Sequence, residues 1–524
     1  MKRTGSSWMA GIGASLRWLV PAGIVALAGL LGMTTWSILY AQEPGAPDIE
    51  FPYDSIPILP KLRGDTPDSK KEVSEVTRLK GAVSKGEKPL QGNEAQFDGY
   101  FNGLVFPKMT QKTDIPNLGS HRREFFKQVA QVKEAPVHEH LMQLTLKAMK
   151  VIAAGPKYHP AARHNAMLII GELNDREMVA TGENKSPADP MRAALTHMLE
   201  EVVKPGTPDY LRVAALVGIQ RHAELDLLQV QERRMPEVTR TQIIDKMVAM
   251  VGAPIPTDPS LAVGRQWIRR QAIDVLGTVG QVGADGKVFA TLFKVISTPS
   301  EPLLVRATAA GAIGRLNFPP NFKADTKDLM VQIASITLQA AEEEGKRLEQ
   351  RATKREEILE RGGGLGDVLG PMAGPIGRGG PGMVGPPPPI FGGPQPGGEA
   401  VASPIDPLEK RDLDYARVAS RRLRAIVAAC YGSIAGIRAA DKGLPLFLKT
   451  NADPTNLGKV GRPLKEMAEF LEDDIRDVYL FEEDLKQRTL NLSQALAGFA
   501  PAAKPATTTP MPMPMTPDDP LGGR

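Results

Sequence analysis

From about residue 118 onward, apolar residues recur at intervals of three and four, the period of a helix that buries one face. Helices are expected at 121–154, 160–173, 190–204, 208–223, 259–279 and 302–316, with shorter segments of the same spacing at 243–250 and 288–296. Several starts share one device. Asp189-Pro190, Thr207-Pro208 and Asp258-Pro259 put a capping oxygen before a proline; Ser300-Glu301-Pro302 is a looser version, and His159-Pro160 opens a further helix. The cap accepts an amide hydrogen that has no partner inside the helix, and proline at the first helical position forfeits no hydrogen bond.

The pattern changes at both ends and once in the middle. Residues 1–17 carry Lys2, Arg3 and Arg17 and no acid, and residues 18–41 carry no charge at all. A span needs about 20 such residues, and the flanking bases should keep the short N-terminus cytoplasmic. Residues 18–41 read as a transmembrane anchor or as a signal peptide cleaved near Ala41; Leu39 at the −3 position fits cleavage poorly, while Ala41-Gln42-Glu43-Pro44 resembles a mature start. Residues 42–117, rich in Pro, Gly, Lys and Asp, read as a mostly irregular linker with one short helix near 70–85.

A helical repeat domain is expected over 118–361. Its last stretch, 341–361, is highly charged, with acid-before-base pairs such as Glu343/Arg347 and too few apolar residues for a coiled-coil seam, so it reads as a solvated extension. Residues 362–407 are dominated by glycine and proline and read as a disordered insertion with a local polyproline segment. Helices return at 408–439, 463–481 and 482–499, either completing the same body or forming a small separate unit, and 500–524 reads as a disordered tail.

Superimposing the helix starts reveals a repeat. Arg163, Arg212, Arg269 and Arg306 are each followed at +3 by Ala166, Ala215, Ala272 and Ala309, and at +7 by Ile170, Ile219, Leu276 and Ile313. At +8 stand Gly171, Gly277 and Gly314, with Gln220 breaking the pattern. The +3 and +7 positions share a helix face, where alanine permits close approach and the larger residue fills the seam. Glycine near the end lets the chain turn back. The arginine stem covers the seam while its head reaches water or a carboxylate. The stretches ARHNAMLIIGEL, LRVAALVGI, IRRQAIDVLGTVG and VRATAAGAIGRL resemble the VRxxAAxALGxL signature of HEAT-like repeats over 155–345. Their spacing is irregular, with insertions at 177–187 and 224–239 lengthening two gaps. The resemblance implies an all-α fold, an α-α superhelix or solenoid, whose stacked helix pairs expose an extended groove.

Composition adds little. A net charge of +4 on 524 residues gives no electrostatic case for nucleic acid. The single cysteine, Cys430, excludes an internal disulfide and a CxxC metal site, and its apolar setting makes it a buried small hydrophobe. His138-Glu139-His140 places its histidines at i,i+2, which point apart on a helix; HExxH is absent, and His159 and His164 are also poorly spaced. Some helical-repeat hydroxylases hold two irons with His-Glu pairs in successive repeats, but here only His138-Glu139 forms such a pair, outside the repeats. The glycines at 364, 366 and 370 have the wrong spacing for a nucleotide loop. Asp473, Asp474, Asp477, Glu482, Glu483 and Asp484, and Arg417, Arg421 and Arg424, read as solvated faces. No catalytic, cofactor-binding or metal-ligating residue is assigned, and no cofactor. The expected function is a non-catalytic scaffold of the cell envelope that binds a protein or peptide partner and meets the membrane through its N-terminal helix. The alternatives are a lyase-type HEAT-like enzyme or enzyme subunit, which the resemblance allows, and a structural envelope component.

Overall fold

The computed structural model describes residues 52–179, 186–360, 407–435 and 443–499. The chain divides into two units, Met1–Asp54, of which only 52–54 are described, and Ser55–Arg524. The apolar run at 18–41, most of the Gly/Pro segment at 362–407 and the tail at 500–524 lie outside the described residues. Among the described residues, no helix is long and apolar enough to cross a membrane.

The second unit is mostly helical, as the spacing predicts. Among the described residues its one sheet is a short antiparallel pair, β1 (Asn174–Arg176) with β2 (Asp189–Pro190). In its first part the short helix expected near 70–85 is present, at Pro67–Ser84, but the rest of 55–117 corrects the linker reading. Helix α1 (Pro67–Ser84) starts from a capping box between Thr66 and Ser69, and α2 (Glu94–Tyr100) runs through a π-turn at Phe101–Val105. The reason is a cluster of buried rings. Phe97, Tyr100, Phe101 and Phe106 pack edge-on or tilted onto one another and onto Phe125 of α3 (Leu118–Val129). A few large aromatics organise a stretch whose average composition is polar.

The repeat region forms two rows of helices. In one row lie α4 (Ala135–Ala154), α6 (Arg192–Glu201), α8 (Glu237–Gly252), α10 (Lys287–Ile296) and α12 (Thr326–Glu360). In the other lie α5 (Pro160–Glu172), α7 (Asp209–Leu228), α9 (Pro259–Val279), α11 (Leu303–Arg315) and α13 (Pro407–Ala435). Each first-row helix packs on the helix that follows it, and α5, α7, α9, α11 and α13 pack side by side in that order. The +3 alanines and the +7 Ile or Leu residues of the four copies are all at most 1% exposed.

The glycines have a different role from the turn expected. Gly171, Gly277 and Gly314 lie inside their helices, and each is a close approach. A Cβ on Gly171 would stand 2.7 Å from the Gly218 Cα, one on Gly277 2.8 Å from the Ala312 Cα, and one on Gly314 2.7 Å from the Ser433 Cα. Gly218 and Ala312 are the +6 residues of their copies, so the +8 residue of one helix repeatedly meets the +6 residue of the next. Placing Ser433 at +6 makes α13 a fifth member. Val427 then takes the arginine position, Cys430 the small-residue position and Ile434 the seam position, and all three are buried. The departure at Gln220 also acquires a cause: its side-chain carbonyl accepts from the Gln271 amide of α9, so this step is joined by a polar pair.

The remaining helices, α14 (Gly443–Asn451), α15 (Pro454–Phe470) and α16 (Val478–Ala497), follow α13. The expected breaks near 463 and 482 are displaced. Pro463 is accommodated inside α15, whose start is Asp453-Pro454 with the aspartate accepting from Thr455 N at 2.8 Å. Asp477 caps α16 through Tyr479 N and Leu480 N. Three earlier starts also differ. Asp189-Pro190 is strand, Thr207 and Ser300 make no side-chain cap, and α7 and α11 begin after prolines in extended conformation. His159 does cap, accepting from Ala161 N at 3.1 Å. The second half of α12 is not a solvated extension: Ala340, Ala341, Leu348 and Glu344 are buried against α13 and α16. The apolar partners, among them Leu423, Val427 and Leu485, come from beyond the Gly/Pro segment, which is why local sequence did not reveal them.

Candidate binding face

The four repeat arginines set the geometry on which a site could be built. Arg163 Nε donates to Ala153 O at 3.0 Å, Arg212 Nη2 to Lys204 O at 3.1 Å, Arg269 Nε to Val251 O at 2.6 Å and Arg306 Nε to Ile296 O at 2.9 Å. Each accepting carbonyl lies at or just beyond the C-terminal end of the preceding first-row helix. A cation there satisfies a carbonyl left over by the helix and opposes the negative end of its dipole. Two heads also reach a carboxylate, as expected, Arg269 that of Glu301 and Arg212 that of Asp209, but the carbonyl contacts were not foreseen. Arg306 is 4% exposed and also reaches Gln339, and Arg269 is 9% exposed and pairs with Glu301 at 2.6 Å.

On the second row, polar side chains link successive helices. Arg122 of α3 pairs with Glu172 of α5 at 3.2 Å. Glu172 faces Arg221 of α7, whose guanidinium donates to Gly171 O at 3.2 Å and to Asn174 Oδ1 at 2.8 Å. The Gln220–Gln271 pair joins α7 to α9, and Asp274 of α9 pairs with Arg315 of α11 at 3.1 Å. Burial raises the Glu172 carboxyl above the usual range, against the pull of the two guanidinium groups. Burial likewise lowers Arg221. Beside this ladder stand exposed apolar side chains. Val217 is one turn before Gln220 and Arg221, Trp267 one turn before Gln271, and Leu304 three turns before Arg315; each is about two-fifths exposed. Apolar anchors, one of them tryptophan, next to arginine and amide groups are the composition of protein-binding surfaces.

The residues singled out from sequence are dispersed. His138 lies 3.4 Å from Glu177 and His140 2.6 Å from Asp98, in different directions. His159 is a cap, and His164 donates from Nδ1 to Tyr210 O at 2.8 Å. Among the described residues, no three His, Cys, Asp or Glu side chains converge where a metal ion could sit. Asp477 of the acidic group is a helix cap, Arg417 pairs with Asp414 at 3.5 Å, and Arg424 donates to Leu471 O, away from any shared anion site with Arg421. Cys430 is fully buried, and burial pushes its thiol up to about 12. The glycines at 364, 366 and 370 lie outside the described residues.

Three members of the ladder, Glu172, Arg221 and Arg315, share the position nine after the repeat arginine, but their charges differ in sign and Thr278 stands there in the remaining copy, so sequence reasoning passed over them. The available signals were a charged residue at that position in three of the four copies and Gln220 at a glycine position. No protein-family profile, curated protein or solved structure matches the chain.

Proposed function

We propose that the chain is a HEAT-like solenoid acting as a non-catalytic scaffold, held outside the cytoplasmic membrane by residues 18–41, whose second-row face binds a protein or peptide. The observation that supports this reading most is that exposed Val217 and Trp267 stand one turn from the Gln220–Gln271 pair, with exposed Leu304 on the next helix, which the Asp274–Arg315 pair joins to α9. Repeated stacking brings one side of each helix into a shared surface, and such surfaces serve extended binding. The N-terminal placement rests on the charge-free run and its basic flank.

The test is affinity capture from the native envelope with the full chain as bait, compared with the triple variant Val217→Glu, Trp267→Glu, Leu304→Glu. The three positions are partly exposed, so the fold should survive, as circular dichroism can verify. The reading expects captured partners to be lost from the variant and kept by a control carrying Leu446→Glu, an exposed position on α14. An unchanged partner set in the triple variant contradicts it.

A further inference from the structure

One buried polar atom, Nε2 of His222, is used by neither the stack nor the proposed binding face. Ten residues after the repeat arginine stand Leu173, His222, Val279 and Leu316, all buried. Three copies fill this position with an aliphatic side chain, whereas the second fills it with a histidine that is 2% exposed. One ring nitrogen bonds to the Gly171 carbonyl, and Nε2 has no protein partner. A carbonyl only accepts, so the bonded Nδ1 carries the hydrogen and Nε2 presents a lone pair. An unsatisfied buried acceptor costs about 1–3 kcal/mol, which a packed core does not ordinarily retain.

His222 forms part of the wall of a pocket of about 90 Å3, several times the space one water requires. Arg192, Leu195 and Thr196 of α6 line it too, and most of the remaining groups come from the two places where the chain departs from repeat spacing. Asp189 and Pro190 follow the insertion at 177–187, and Asp226, Gln229, Arg233, Met235 and Thr239 belong to that at 224–239. The two insertions are tied together. Gln229 Nε2 donates to Ala188 O at 2.6 Å, and Asp226 holds its own loop by accepting from Met235 N and from Arg240 Nε. The charges on the lining are unequally used. Asp226 is paired with Arg240 and Asp189 with Arg176, while Arg192 attracts the Asp175 carboxylate without forming an ion pair and Arg233 has no ion-pair partner among the described residues. Insertions in repeat proteins collect on one face and often carry its binding function.

We propose that this pocket binds a small carboxylate that also carries a hydroxyl or ammonium group. The donor of the ligand would satisfy His222 Nε2, and its carboxylate would meet Arg192 and Arg233, for which bidentate recognition is natural. His222 stays neutral as burial lowers its pKa to about 3, so it remains an acceptor across the physiological range.

The experiment follows the His222 ring signal of the full chain by nuclear magnetic resonance during titration with glycolate, lactate, glycine and alanine, with acetate and ethylene glycol as controls lacking the donor or the charge. The proposal expects saturable movement with at least one hydroxy- or amino-carboxylate and at least tenfold weaker response to acetate and ethylene glycol. Arg192→Ala with Arg233→Ala, both exposed positions, should weaken the response at least tenfold while the rest of the spectrum is preserved. No saturable response from any of the four compounds, or one unaffected by removing both arginines, overturns the proposal. Because His222→Leu reproduces the residue type of the other copies, it should fold and lose the thermal stabilisation that the responding compound confers. A variant that keeps this stabilisation also overturns the proposal.

Discussion

Replacing Arg269 with methionine keeps the stem length and removes the head. In the native chain that head donates to Val251 O at 2.6 Å and Ala253 O at 3.3 Å, and pairs with Glu301 at 2.6 Å. Its loss leaves two carbonyls at the end of α8 without their cationic donor and strands a carboxylate whose side chain is 13% exposed. Breaking a buried ion pair by removing one partner costs about 3–5 kcal/mol. Partial water access to Glu301 reduces this, so about 3 kcal/mol is expected. Arg212→Met makes the contrast. Its bonds to Lys204 O and to Asp209, a residue on its own helix with a partly exposed carboxylate, should contribute only about 1 kcal/mol. Urea unfolding of each full-length variant gives the comparison, and hydrogen exchange in the last turn of α8 localises it. Arg269→Met should fray that turn, and adding Glu301→Gln should recover part of the loss. Equal, small losses at both arginines, or a larger loss at Arg212, would refute the capping role.

Gly171→Ala should destabilise by about 1–3 kcal/mol, because the new methyl would meet the Gly218 backbone, whereas Gly458→Ala, with open space around it on α15, should be neutral or stabilising by up to about 1 kcal/mol; thermal melts of both variants check this. His222 lends the chain a pH dependence of known sign. Its pKa falls from 6.5 unfolded to about 3 folded, so the unfolded chain binds the extra proton and stability drops as pH falls through that window, by about 1.4 kcal/mol per unit below 6.5. His222→Leu should lack this component, and stability curves between pH 7 and 5 should diverge by about 2 kcal/mol at pH 5 once other titrations, common to both chains, are subtracted. Cys430, with its thiol raised to about 12 by burial, should react with a thiol reagent at pH 8 at least about 100-fold more slowly in the folded chain than in denaturant; a fast native reaction would place it outside the seam.

The repeat helices were legible because their signal is local. Alanine at +3 and a larger aliphatic residue at +7 report one helix face, and the structure buries both in all four copies. The carbonyl contacts of the arginines were not legible, since their acceptors lie eight to eighteen positions upstream across loops of unequal length. The fifth member, α13, was hidden for a related reason. Val427 replaces the arginine and Cys430 the alanine, so only the contact between Gly314 and Ser433 identifies the register. Residues 94–106 were misread because helical periodicity there passes through a π-turn that shifts the face, while the driving force is concentrated in four aromatic rings. The candidate face was only partly signalled: Glu172, Arg221 and Arg315 share one repeat offset, whereas Gln271 and Asp274 do not, and all of them become neighbours only once the helices stand side by side. His222 was visible as a histidine but carried no metal spacing, and its meaning depends on the aliphatic residues at the same offset in the other copies.

The central claim is that successive second-row helices stack at one register, each a single step from the last. Spin labels placed in pairs at 210, 267 and 304, the residues two before three of the repeat arginines, test it directly. Packed helices are about 8–10 Å apart, so the 210–267 and 267–304 separations should be similar, near 10 Å before label length is added, and the 210–304 separation about twice as large. A 210–304 separation no greater than either single step would contradict the stack.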